Sequence, residues 1–193
     1  SDGDFPFFGM FMGAVVENKK VNFIDALAQH QVESKIWLIE RLEKLNENFN
    51  KGIFIGGWLG ISSYWAMERK LMKNVTNLDL DDNAIKFSDK LNSISKEHKM
   101  YKGIVGDAST HDYSEYDLVI NTSSEHMTEE WFDNIKEGTT VAIQTNDFHD
   151  IEEHINTVRN LKELEEKYPL SKVLFSGVKA VSYTHLTLPT ISD

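Results

Sequence analysis

Four short stretches hold the residues whose type and spacing could do chemistry. Ile53-Phe54-Ile55 runs into Gly56-Gly57-Trp58-Leu59-Gly60 and then Ser62-Ser63. Glycines at such a turn let backbone approach a ligand, and free N–H groups at a helix start attract a carboxylate or phosphate. A tight strand-to-helix turn also wants glycine for its own sake. About twenty residues further on, Leu78-Asp79-Leu80-Asp81-Asp82 places an acid where it could accept both hydroxyls of a ribose. Asp81 and Asp82 read as the start of the next helix, where the dipole favours negative charge. Gly106-Asp107-Ala108 offers a second carboxylate, and Asn121-Thr122-Ser123-Ser124-Glu125-His126 is a polar run with a candidate acid–base pair. His126 could take a proton from an attacking hydroxyl or amine. The competing reading makes Glu125 a brace for the following helix and His126 a packing residue.

Two cofactors suit a strand, a glycine loop and an acid: a dinucleotide or S-adenosylmethionine. A dinucleotide needs Gly-x-Gly-x-x-Gly to bring its pyrophosphate to the helix, and residues 56–60 do not supply it. S-adenosylmethionine has no phosphate, and its carboxylate can use the helix start with a looser loop. Asp107, an acceptor for an adenine amino group, favours the second cofactor.

The elements that must position these residues alternate. Val21 to Leu45 has helical apolar periodicity, with Asn22 or Asp25 as a start signal. Strands are expected at Ile53–Ile55, Val75–Leu80, Tyr101–Val105, Asp117–Asn121, Thr139–Gln144 and Lys172–Phe175. Helices are expected at Ser62–Met72, Asn83–Leu91, Trp131–Ile135 and Ile151–Lys167. Wholly apolar strands separated by helices imply an α/β fold, a doubly wound, mostly parallel sheet covered on both faces. Ligands of such sheets sit beyond the carboxyl ends of the strands, where the strand order reverses.

The pieces around Gly56, Asp79, Asp107 and Asn121, with Lys136-Glu137-Gly138-Thr139-Thr140-Val141, occur in order over about Val21 to Val178. Together they resemble class I S-adenosylmethionine-dependent methyltransferases with a Rossmann-like fold, most closely the small ones met in environmental and viral sequence. The resemblance implies that Gly56 and Gly60 line the methionine end, Asp79 holds the ribose and Asp107 faces adenine; Gly57, Trp58 and Asn121 are read as further cofactor-binding candidates. It also implies a seventh, antiparallel strand. The sequence departs from the family pattern at Phe54, where an acid is usual, and at Trp58, where the middle loop glycine is usual; the Trp58 indole could cover the cofactor. Asn121 lacks the paired prolines of amino-directed nucleic-acid enzymes. The resemblance therefore implies methyl transfer to a small-molecule acceptor, with Glu125 and His126 as the catalytic pair. The alternatives are a non-catalytic nucleoside-binding pseudoenzyme, which Phe54 and Trp58 motivate, and another S-adenosylmethionine reaction such as cleavage.

Composition bounds the rest. Of 193 residues, 20 are basic and 31 acidic, a formal charge of −11. That charge disfavours a duplex-binding surface that neutralises phosphates. The absence of cysteine excludes thiolate metal sites, Cys nucleophiles and disulfides. His149 and His154 show no tight ligand spacing, and no metal site is expected. No apolar run approaches the ~20 residues of a membrane span, and a cytoplasmic protein is expected. Residues 1–20 form an N-terminal segment, dense in aromatics and Met from Phe5 to Gly13, that packs on the domain or serves as a lid. Residues 21–180 form the Rossmann-like domain. Residues 181–193, from Val181-Ser182-Tyr183-Thr184-His185-Leu186, resemble a translated sequencing adapter and read as a non-native tail replacing the last strand. Tyr64 and Glu68, one helical turn apart, and Gln144 and Asn146, leaving the fifth strand, are further polar candidates. Trp131 reads as core.

Overall fold

Alternation along each central strand sorts the apolar side chains onto two faces, and both faces are covered. In the computed structural model, which describes residues 29–145, 160–170 and 173–177, five parallel strands take the order β3-β2-β1-β4-β5. These are β1 (Phe49–Ile55), β2 (Met72–Asp79), β3 (Tyr101–Val105), β4 (Leu118–Asn121) and β5 (Thr140–Ile143). The helices are α1 (Gln29–Glu43), α2 (Ile61–Glu68), α3 (Asp82–Leu91), α4 (Ser93–Glu97), α5 (Glu130–Asp133) and α6 (Leu161–Lys167), with a 3-10 turn over Ser124–His126. Phe54, Leu118 and Ile120 point into a cluster with Leu38, Ile39 and Leu42 of α1 and Ala66 of α2. Ile53, Ile55 and Val119 point the other way, onto Tyr113, Tyr116, Trp131 and Tyr168. This is the doubly wound α/β sheet that the strand pattern implies.

Several bounds differ from the sequence expectation for identifiable reasons. Strand β1 begins four residues early, at Phe49, because the Asp117 carboxylate accepts the N–H groups of Asn50 (2.8 Å) and Lys51 (2.9 Å). These two bonds, together with the burial of Phe49 and its pairing with Met72, fix the start of the strand. The helix expected over Ser62 to Met72 stops at Glu68: Lys70 takes φ 54°, the Leu71 N–H returns to the Ala66 carbonyl, and Met72 already opens β2. A strand was expected at Lys172–Phe175, and the described part is not one. Phe175 instead sets its ring edge-on to Trp37 at 5.7 Å, with the Arg41 guanidinium 4.9 Å from its centroid. Phe175 thus leans on a helix surface, while Val173 and Leu174 stand exposed. The stretch 106–117 contains no helix; Asx-type turns at Asp107 and Asp112 organise it.

Trp131 is core, 1% exposed and tilted against Tyr168 at 5.5 Å. The N-terminal segment 1–20, the tail 181–193, Asn146, His149, His154 and most of the helix expected over Ile151–Lys167 lie outside the described residues. Asp81 caps α3 as its position implies, its Oδ1 accepting from Asn83 (2.9 Å) and Ala84 (3.3 Å). Asp81→Ala should cost about 1 kcal/mol of stability, read as a fall in thermal midpoint with no loss of sheet signal.

Candidate active site

The strand order reverses between β1 and β4, so the crevice at the carboxyl ends of these strands is where a ligand belongs. Four of the expected stretches converge there. Gly56 donates its N–H to the Leu78 carbonyl at 2.8 Å, and its own carbonyl accepts from the Ser123 hydroxyl at 2.8 Å. The first loop is thereby tied to the ends of both flanking strands. Gly57 lies so close over Asn77 that a Cβ would overlap the amide oxygen. Gly60, at φ 77°, precedes α2, and a Cβ there would overlap the Ser88 hydroxyl. Glycine is the residue that satisfies both positions.

Trp58 stands at φ 48° in the left-handed region, where a bulky residue is an outlier. Two side chains hold it there. Asp79 Oδ2 accepts the Trp58 N–H at 2.9 Å, and Asn77 Nδ2 donates to the Trp58 carbonyl at 3.1 Å. The indole packs in part against the cluster formed by α2, α3 and Leu59. Asp79 Oδ1 also accepts the Asp81 N–H at 2.9 Å. Burial pushes the Asp79 carboxyl above its ordinary value, and the N–H groups of Asp81 and Trp58 pull it back. A carboxylate has about four acceptor sites, so both oxygens keep capacity for further donors.

Asp107 sits at the end of the next strand: the Gly106 N–H donates to the Asp79 carbonyl at 2.9 Å, which puts the two acids on adjacent strand ends. Asp107 is exposed, and the Ser109 N–H (2.9 Å) and hydroxyl (2.8 Å), both on Oδ1, hold its carboxyl below the usual range. Asn121 is fully buried. Its amide oxygen accepts the Ser123 N–H at 2.8 Å and its Nδ2 reaches Met127 Sδ at 3.3 Å, so it shapes the turn from beneath.

That turn separates Glu125 from His126. Glu125 is 5% exposed and accepts from the Thr145 hydroxyl at 3.3 Å; His126 is exposed, with Nε2 3.5 Å from Glu125 Oε1. His126 is therefore not a packing residue. Gln144 continues the β5 ladder by donating to the Asn121 carbonyl at 2.9 Å, while its side chain donates to the Ser34 carbonyl of α1 at 2.9 Å. The Tyr64 and Glu68 pair does not form a site. Tyr64 is buried in the α2–α3 cluster, its phenol raised by burial and by Glu68, and Glu68 is exposed.

Residues the sequence reading passed over hold the loop. Asn77 Nδ2 also donates to the Ser88 hydroxyl at 2.9 Å, Ser88 and the Tyr101 hydroxyl share a short hydrogen bond, and Asn92 Nδ2 donates to the Gly60 carbonyl at 3.2 Å. Ser88 lies on the buried stripe of α3, and Asn92, four residues on, is its buried C-cap. Polar side chains on an apolar stripe were the available signal. Lys35 of α1 was passed over too. Burial pushes its ammonium below the ordinary lysine range, against the opposing pull of Glu125.

The fold has solved counterparts. The methyltransferase domain of bacterial CtHen1 superposes with a TM-score of 0.55 at 18% identity, covering 72% of this chain and 84% of that one. The N-methyltransferase NodS from Bradyrhizobium japonicum WM9 gives 0.51 at 16% identity, covering 65% and 75%. Its complex with S-adenosyl-L-homocysteine gives 0.47 at 16%, covering 65% of each chain. No family model and no curated protein matches the sequence. The fold is thus that of class I S-adenosylmethionine-dependent methyltransferases. At these identities the likeness concerns fold alone.

Proposed function

We propose that this chain transfers the methyl group of S-adenosylmethionine to a small-molecule acceptor. The observation that carries the reading is the placement of Asp79 and Asp107 on adjacent strand ends, beside a glycine loop anchored to both neighbours of β1. The residues present fit the cofactor. The Ser62 and Ser63 hydroxyls, in the first turn of α2 behind Gly60, are buried without a hydrogen-bond partner. Buried hydroxyls of this kind signal a missing polar group. Gly56, Gly57, Trp58 and Gly60 would border the methionine end, Asp79 would accept the ribose hydroxyls and Asp107 would face the adenine, with Asn121 holding the turn beside them.

When bound, the cofactor supplies an electrophilic methyl group on a sulfonium. The chain does the remaining work. The loop and acids fix orientation, which can supply most of the acceleration in a displacement. His126, exposed in the turn that follows β4, would take the proton that the acceptor hydroxyl or amine loses, with Glu125, 3.5 Å from its ring, orienting it. The net charge of −11 disfavours nucleic acid as acceptor. Among the described residues no helix is long and apolar enough to cross a membrane, and a cytoplasmic site of action is part of the proposal.

The test is incubation with methyl-labelled S-adenosylmethionine and a panel of small hydroxyl and amine acceptors. Label appearing in an acceptor, with stoichiometric S-adenosylhomocysteine, is expected. Cofactor breakdown without a labelled acceptor would indicate cleavage instead. Phe54, buried in the core where the family carries an acid, favours the second reading, a nucleoside-binding protein without turnover. Binding without any product would select it.

A further inference from the structure

Two buried amides grip the glycine loop from behind. Asn77 of β2, fully buried, donates Nδ2 to the Trp58 carbonyl at 3.1 Å and to the Ser88 hydroxyl at 2.9 Å. Asn92, buried at the end of α3, donates Nδ2 to the Gly60 carbonyl at 3.2 Å and to the Ser88 carbonyl at 3.0 Å. Ser88 thus joins the two amides, and its hydroxyl is braced in turn by the Tyr101 hydroxyl of β3. Each Nδ2 meets two oxygens, so the opposite amide orientation would set oxygen against oxygen. Both side-chain oxygens, Asn77 Oδ1 and Asn92 Oδ1, are left buried without a partner among the described residues. An apolar side chain of the same shape would fill either space without that cost. What these two positions supply is the donor.

In a trans peptide the C=O and the N–H point opposite ways. A Trp58 carbonyl drawn toward Asn77 and Ser88 therefore turns the Leu59 N–H away from that buried cluster. A Gly60 carbonyl drawn toward Asn92 does the same for the Ile61 N–H. The Gly60 carbonyl also accepts the Tyr64 N–H at 3.0 Å, the first bond of α2, and the Ile61 N–H is one of the helix-start donors that no intrahelical carbonyl can reach. Trp58 would not hold this geometry unaided, because φ 48° is unfavourable for a bulky side chain.

We propose that Asn77 and Asn92, coupled through Ser88, are positioning residues of the cofactor site: they turn the Leu59 and Ile61 N–H groups toward the crevice, where these donors take the carboxylate of the cofactor's amino-acid end. The inference rests on the methyl-transfer reading of that crevice. Neither amide touches the ligand, and each acts only through the peptide plane that it holds.

The test is calorimetry with S-adenosylhomocysteine and 5′-methylthioadenosine on the wild type, N77L and N92L. The two ligands share the nucleoside, and the second has no carboxylate. Leucine keeps the branch at Cγ and removes the donor. In either variant S-adenosylhomocysteine should weaken by roughly tenfold, the scale of a hydrogen bond to a charged group, while 5′-methylthioadenosine stays within about twofold. A merely structural amide would lower the thermal midpoint and leave the ratio of the two affinities at its wild-type value; an unchanged ratio overturns the proposal. Should neither variant fold, the wild-type amide resonances decide. Those of Leu59 and Ile61 must move with S-adenosylhomocysteine and stay in place with 5′-methylthioadenosine, and an equal response to both refutes the role. A wild type that binds neither ligand removes the cofactor reading and this inference together, whereas binding with an unmoved ratio in the variants removes the inference alone.

Discussion

Replacement of His126 by Ala is expected to lower turnover with a competent acceptor by roughly a hundredfold to ten-thousandfold, the usual contribution of a general base. Affinity for S-adenosylhomocysteine should stay within about twofold. The separation follows from geometry. His126 is exposed at the end of β4, while the cofactor would occupy the ends of β1, β2 and β3. His126→Asn keeps hydrogen-bonding capacity without an imidazole base, so its turnover should fall about as far as that of His126→Ala. Single-turnover rates measured for both variants check this. A variant with undiminished turnover would leave alignment of the reactants as the whole of catalysis and remove His126 from the mechanism.

Asp79→Ala should weaken S-adenosylhomocysteine by roughly tenfold to a hundredfold, on the order of 1 to 3 kcal/mol for two lost charge-assisted hydrogen bonds. The effect has a second component. Asp79 also accepts the Trp58 N–H and helps hold that residue at φ 48°, so the loop should relax in the variant. Asp79→Asn keeps one acceptor oxygen and should lie between the two. A pH dependence accompanies this role. The ionised carboxylate is the form that accepts both the loop N–H groups and the ribose hydroxyls. Burial raises the Asp79 pKa above 3.8, so affinity should fall as pH is lowered through that raised value, earlier than for an ordinary aspartate. For the apo protein the linkage has the opposite sense: a raised carboxyl pKa means that ionising Asp79 costs native stability, and protonating it relieves that cost as pH falls. Ligand affinity and apo stability should therefore move in opposite directions over the same acidic range.

The parts of the fold that could be read were those set by local chemistry. Ile53-Phe54-Ile55 and Leu118-Val119-Ile120 are apolar on both faces, and only a strand covered on both sides calls for that. Asp81, an acid before a helical stripe, announced its cap. What escaped was fixed by partners distant in the chain. The polar residues Asn50 and Lys51 join β1 because Asp117, some 66 positions away, accepts their N–H groups. Val173-Leu174-Phe175 has the composition of a strand, yet Phe175 lies against Trp37 and Arg41 of α1.

The same distinction runs through the candidate site. Gly56, Gly60, Asp79 and Asp107 were visible because each sits at a strand end or in the turn that follows one. Asn77, Ser88 and Asn92 were not, although all three are buried and two of them bond the loop carbonyls directly. Each looks ordinary alone, and their meaning lies in contacts with Trp58 and Gly60. Lys35 is the extreme case. A lysine within a polar stretch of helix reads as a solvated side chain, and only the fold puts it where burial lowers its pKa.

Backbone amide shifts on titrating S-adenosylhomocysteine into the wild-type protein test the central claim most directly. The account predicts saturable perturbations concentrated at Gly56–Gly60, Asp79–Asp81 and Gly106–Ala108, with little change along α6. No perturbation at millimolar ligand, or changes confined to surfaces remote from the ends of β1, β2 and β3, would contradict it.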